Sequence, residues 1–118
     1  METEYAVTRD GTALVTLHGG SETTARSDAV DELERELEAL TDDGAIEEWE
    51  LGDDGVYEHP TAPFEPYTIA VDVSVTVAVE APDEHEAGER GANAIDSALA
   101  NAGANDVSYT EPPAVTTR

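Results

Sequence analysis

The sequence predicts an α+β domain, an antiparallel or mixed sheet with two helices on one face, and three observations carry that expectation. Tyr67 to Ala81, YTIAVDVSVTVAVEA, alternates large apolar with small or polar residues without a break. Side chains of an extended strand point to opposite faces with period two, so this stretch reads as a strand with one buried and one wet face. Two other stretches, SDAVDELERELEAL and EHEAGERGANAIDSALANA, place apolar residues at spacings of three and four, the mark of amphipathic helices. Third, strand and helix signals follow one another in the order β-α-β-β-α-β once an extra N-terminal strand is set aside. A chain of 118 residues holds one such core.

In chain order, Tyr5–Thr8 and Thr12–Leu17 flank Arg9-Asp10-Gly11. Asp-Gly between β-prone runs is a hairpin signal, so the two runs are expected to form a hairpin. His18-Gly19-Gly20 ends it. Ser27 is the expected N-cap of the first helix, with Asp28 and Asp31 in its first turn and Val30, Leu33, Leu37 and Leu40 on its inner face. Asp42-Asp43-Gly44 closes that helix. Ala45–Leu51 carries Ile46, Trp49 and Leu51 and reads as a strand. Gly52–Pro66 then reads as a long connection, because GDDG is turn-rich and Pro60, Pro63 and Pro66 oppose regular pairing.

After the Tyr67 strand, Asp83 is placed to cap the second helix, with Glu86 three residues on. Ala87, Gly91, Ala94, Ile95, Ala98, Leu99 and Ala102 line one side, and Gly103 stops it. Such small residues imply close approach to the sheet. Asp106–Thr110 is the last expected strand, and residues 112–118 are expected to be a loosely held polar tail after a single domain of residues 1–111. The arrangement corresponds to the split βαβ order of ferredoxin-like domains, whose first and third strands are central. At ~3.3 Å per residue the Tyr67 strand spans about 50 Å, longer than its expected neighbours. It is therefore expected to bend, or to overhang and pair with the N-terminal hairpin or with another chain.

Charge narrows the function classes. There are 28 Asp plus Glu against five arginines, no lysine, and a formal net charge of −23. Five scattered arginines, Arg9, Arg26, Arg35, Arg90 and Arg118, make no basic patch, which disfavours both nucleic acid and anionic membrane as partners. No apolar run approaches a membrane span and the N-terminus lacks a signal-peptide pattern, so a soluble protein made without export is expected. Without cysteine there are no disulfides or thiolate metal sites.

No catalytic constellation stands out. His18-Gly19-Gly20 lacks the Gly-x-Ser-x-Gly elbow that an esterase reading requires, and the Gly-Lys-Ser/Thr that a phosphate loop requires. The glycines read as a turn and His18 as a strand-end residue. His59 with Asp53, Asp54 and Glu58 lacks the alternating acids of a calcium loop, and His85 with Glu89 reads as a solvated helix pair. Weakly held cations are expected around the carboxylates, and no catalytic, cofactor or metal residue is assigned.

Two resemblances add to this reading. Lysine loss with abundant Asp, Glu, Ala, Val and Thr resembles the proteins of extremely halophilic archaea and their viruses. In molar salt the Debye length falls to about 3 Å, which screens repulsion between carboxylates. The order of acidic helix, strand, HPTAPFEP, YTIAVDVSVTVAV, PDEHEAGERGANAIDSALANAG and a final strand is similar to small tail-terminator and tail-completion proteins of tailed viruses, over about Ser27 to Tyr109. That likeness implies ring assembly without catalysis and hands over no site residues. A structural component is thus expected, partnered by itself or other structural proteins, in the cytoplasm of a high-salt host or in a virion. Phe64, Tyr67, Ser74, Thr76 and Ala78 are the expected contact residues, since Asp72 and Glu80 guard an otherwise open strand edge. The alternative is a small ferredoxin-like ligand-binding or regulatory domain of a haloarchaeal cell; a small enzyme using carboxylates and His18 ranks third.

Overall fold

A computed structural model describes residues 2–18, 21–58, 65–102, 106–109 and 111–117. It is an α+β structure with an antiparallel sheet and two helices: β1 Thr3–Leu17, α1 Glu22–Asp42, β2 Glu48–Glu58, β3 Tyr67–Ala81, α2 Glu84–Asn101, β4 Asp106–Tyr109 and β5 Ala114–Thr117. The strand order is β2-β3-β1-β4, with β5 also paired to β1.

β3 has the expected bounds, and β1 corrects the expectation about what covers it. Thr3 to Leu17 form a single strand that pairs with β3 along its whole length, from Thr3 opposite Ala81 to Leu17 opposite Tyr67. There is no hairpin at Arg9-Asp10-Gly11. The period-two pattern of Tyr5, Val7, Arg9, Gly11, Ala13 and Val15 runs through that tripeptide without a change of phase, and each half gains more by pairing with β3 than with the other half. Gly11 serves a different purpose from a turn. A Cβ there would lie 2.7 Å from the Ser108 carbonyl oxygen, so its absence lets β4 close on β1.

The first helix begins at Glu22, ahead of the expected start. Ser21, not Ser27, is the cap, its hydroxyl accepting from the Thr24 amide at 3.2 Å. The extra turn carries Ala25, which extends the buried stripe Ala25, Ala29, Leu33, Leu37. Gly44 ends the helix at φ 83, with its amide donating to Thr41 O and that of Ala45 to Leu40 O, the paired bonds of a Schellman closure.

β2 corrects the next expectation: Gly52–Glu58 is strand, not connection. The register skips between Leu51 and Asp54, so Gly52 and Asp53 bulge outward while pairing resumes with Asp54 opposite Val71. Arg26 holds the resumed part, its Nε donating to Asp54 Oδ2 at 3.0 Å and Nη2 to Asp54 O at 3.1 Å. α2 is capped as expected, Glu86 N donating to Asp83 Oδ1 at 2.8 Å. Gly103 and Thr110 lie outside the described residues. Ala114–Thr117, expected to be loose, pairs with Tyr5–Thr8 of β1, because β4 covers only Gly11–Leu14 and leaves that edge open.

Both helices lie over the odd-numbered residues of β1 and β3. Val7, Ala13, Ile69, Val71 and Val75 are fully buried there, with Leu33 and Leu37 from α1 and Ile95 and Leu99 from α2. α2 approaches closest: a Cβ at Gly91 would lie 2.4 Å from Val7 Cβ.

Candidate functional site

The even-numbered residues of the same strands form the other face, and neither α1 nor α2 covers it. Its centre is acidic. Asp10 is opposite Ser74 and Asp72 opposite Thr12, whose hydroxyl donates to Asp72 Oδ1 at 3.0 Å. Glu50 lies beside Ser74 on β2. A shallow depression of about 480 Å³ runs over this region, and a second of about 440 Å³ lies between Glu48, Glu50 and Thr76. Among the described residues no three His, Asp or Glu side chains converge in a geometry that could hold a metal ion.

Toward one end the face changes character. Ala6 is opposite Ala78 and Thr8 opposite Thr76, while β5 adds Ala114 beside Thr8 and Thr116 beside Ala6. These six residues make a tract without a charged side chain, bounded by Glu4 and Glu80 at one end, Asp10 at the other, and Glu48 of β2 beside Thr76. The Thr8 and Thr76 hydroxyls are 2.7 Å apart and satisfy one another, so covering them leaves little hydrogen-bonding demand.

The expected contact residues are thus distributed differently from the edge envisaged. Ser74 and Thr76 belong to an interior strand with β1 on one side and β2 on the other, so their backbone cannot template a further strand. Their side chains, with that of Ala78, stand on the helix-free face. Tyr67 is half-buried at the opposite end of β3. Phe64 and His59 lie outside the described residues. His18 is exposed just past β1, and His85 is exposed on α2, its Nε2 3.5 Å from Glu89 Oε1.

A second arrangement escaped the sequence reading. Arg9 falls on the helix side of β1, where its guanidinium lies 3.7 Å from the centroid of the Tyr109 ring. The Tyr109 hydroxyl donates to Asp96 Oδ1 on α2 at 3.0 Å. Burial, and then the bond to the Asp96 carboxylate, push this phenol up to about 12, while Arg9 pulls the other way. Between α2 and β5 a cleft of about 360 Å³ opens, with Arg9, Gly88, Ala92, Pro113 and Val115 among its walls. The available signal was Arg9 sitting in phase with Val7 and Ala13; reading Asp10-Gly11 as a turn hid it.

Comparison with known proteins adds little. No family model matches the chain, and no curated protein matches it. Among solved structures it is similar to a hydantoinase/carbamoylase family amidase from Burkholderia ambifaria, at 20% identity over 99% of this chain and a TM-score of 0.30. The chain spans 28% of the length of that amidase. At that score the likeness carries neither fold nor chemistry across.

Proposed function

We propose that this chain is a non-enzymatic assembly protein of a halophilic archaeon or its tailed virus, a head-tail or tail component that packs against further copies of itself through the helix-free face of its sheet. The observation that carries this is the uncharged tract of Ala6, Thr8, Thr76, Ala78, Ala114 and Thr116 on a chain of net charge −23. Alanine and paired threonine can be dried at small cost, whereas each neighbouring carboxylate would have to lose water. The bounding acids repel a second copy in dilute buffer and are screened in molar salt, which ties association to a salt-rich setting. The order β2-β3-β1-β4, with β1 and β3 central, supports a ferredoxin-like assignment of the sheet. A second reading, a ligand-binding domain of the same fold, draws on the cleft over Arg9.

Sedimentation velocity in molar KCl tests the assembly reading. The wild type should sediment as a concentration-dependent oligomer, and Ala78→Arg or Thr76→Arg should give monomers with unchanged circular dichroism. A wild type that stays monomeric at millimolar concentration, on the order of the weakest specific contacts, would sink the reading.

A further inference from the structure

The edge of β1 that faces away from β3 is covered in two pieces, and the two are held very differently. β4 pairs Tyr109 with Gly11, and Tyr109 is fixed from two sides, by the Arg9 guanidinium over its ring and by the bond from its hydroxyl to Asp96 of α2. β5 pairs Ala114 with Thr8 and Thr117 with Tyr5. Among the described residues, no side-chain hydrogen bond or ion pair ties Ala114–Thr117 to the rest of the chain. Ala114, Thr116 and Thr117 are exposed, and Val115 alone reaches inward, opposite Val7 and against Gly88 of α2. Gly88 is what admits it: a Cβ there would already lie 3.5 Å from Val115 Cγ2, so a longer side chain would take the same slot.

The connection between the two strands matches this position poorly. Residues 110–113 stand opposite only Arg9 and Asp10, so β5 resumes two residues out of step with β4. Along β1 the gap from Gly11 to Thr8 is three residue steps, roughly 10 Å. From Tyr109 to Ala114 there are five steps, and Pro112-Pro113 favour the polyproline conformation at about 3.1 Å per residue, so a straight link would reach roughly 15 Å. Two consecutive prolines also bring no N–H to β1, so pairing cannot zip continuously from β4 into β5. β5 therefore docks as a separate four-residue unit, on a stiff spacer that overshoots its own docking position. A spacer gives the highest effective concentration when its length matches the span, and this mismatch weakens closure within the chain.

We infer that β5 is exchanged between copies: in the assembled protein the Ala114–Thr117 strand of one copy lies on Tyr5–Thr8 of a second, with Val115 in the slot beside Gly88 of that second copy. The backbone pairing and the Val115 contact are the same within a chain and between chains, so exchange gives up neither. What tips the balance is the uncharged tract. Ala114 and Thr116 stand on it beside Thr8 and Ala6, so a strand delivered by a second copy brings the body of that copy to the edge of the same face. Exchange thus rests on the assembly reading above, and it names the segment that links the copies.

The chain has no cysteine, so introduced thiols report on this contact alone. Val7 and Val115 are directly opposite each other on the helix side, where packing of two copies through the helix-free face cannot bring them together. Cross-strand neighbours lie within disulfide range. Full-length Val7→Cys and Val115→Cys single variants, one of them isotopically labelled, are refolded together in molar KCl, oxidised, and weighed by mass spectrometry without reduction. The main product should be the disulfide that joins one variant to the other. In the double variant Val7→Cys with Val115→Cys, the bond should join chains rather than close within one. Adding Pro112→Gly and Pro113→Gly softens the spacer and should lower the share of bonds between chains severalfold. Gly88→Leu fills the slot while replacing a helical glycine by a better helix former, and should give monomers with helical circular dichroism retained. A double variant that sediments as an oligomer with its bond closed inside each chain would overturn exchange and leave the assembly reading standing. A monomer with that internal bond would overturn both. Absence of the mixed disulfide, an unchanged share of bonds between chains with the glycine spacer, or oligomers undiminished by Gly88→Leu would each overturn exchange.

Discussion

Val75 and Thr76 are adjacent in β3, yet Val75 has no exposed surface and Thr76 stands on the helix-free side with its hydroxyl bonded to Thr8. The whole sheet repeats that contrast. On the covered side, Val7, Val71, Val75 and Ala13 lie fully buried against Ile95, Leu99 and Leu33. On the open side, Asp10, Asp72 and Glu50 are exposed, and the order comes from side-chain hydrogen bonds between neighbouring strands. Apolar burial is worth roughly 25 cal/mol per Å², whereas an intramolecular hydrogen bond that competes with water nets about 1 kcal/mol. The covered face therefore holds the fold together, and the open face is left free to vary with what it contacts.

The broadest challenge to that division is salt. If carboxylates on the open face and the outer helix surfaces only repel one another, removing salt should undo what the covered face stabilises. The melting temperature should fall steeply from molar KCl to below about 0.1 M, where the Debye length reaches 10 Å. An unchanged melting curve would remove the basis for the halophilic reading.

Within fixed molar salt, the faces should separate by mutation. Ile95→Ala empties a fully buried position between α2 and the sheet and is expected to cost about 2–5 kcal/mol in denaturant unfolding. The double change Thr8→Val with Thr76→Val removes both members of a pair and should stay within ~1 kcal/mol of wild type. Equal losses from the two would show that the open face also carries the fold.

A smaller loss is expected where α2 touches β1 most closely. Gly91→Ala places a methyl 2.4 Å from Val7 Cβ, so the helix must lift, at about 1–3 kcal/mol by overpacking. Gly91→Ala together with Val7→Ala relieves only the Cγ1 and Cγ2 contacts at 2.5 and 2.6 Å and keeps Val7 Cβ in place, so the double variant should stay less stable than wild type. No loss from Gly91→Ala alone would show that α2 is not held this close to Val7.

The mildest effect is a dependence on pH at the edge of the covered face. Tyr109 has a folded pKa of about 12, above the ordinary phenol value of ~10, so the native state favours the neutral form. Its contribution is fully present below pH ~10 and is lost as pH rises through about 12. Tyr109→Phe should flatten the fall in stability across that window. An identical slope in wild type and variant would show that this phenol is not what titrates there.

Much of this was legible in the chain. β3 was read with its correct ends because fifteen alternating residues leave no competing periodicity, and α2 because Asp83, the Ala87–Ala98 stripe and the absence of β-branched runs agree with one another. The side chains of Ser74, Thr76 and Ala78 do lie on the surface of the sheet opposite the helices. Local signals failed where two of them conflicted. Asp10-Gly11 and Asp53-Asp54-Gly55 are turn sequences, yet the first runs straight through β1 and the second runs from the bulge in β2 into its resumed pairing.

What the sequence determined by itself was local: which residues alternate, which cluster with helical period, where α2 is capped, and a net charge of −23. The length of β1, the recruitment of Ala114–Thr117 into the sheet and the placing of Arg9 beneath α2 were decided by tertiary structure. The physical reason is that each depends on pairing between segments far apart in the chain. A 15-residue β3 offers backbone donors and acceptors along its whole length, and satisfying them overrides the turn preference of three residues at the middle of its partner.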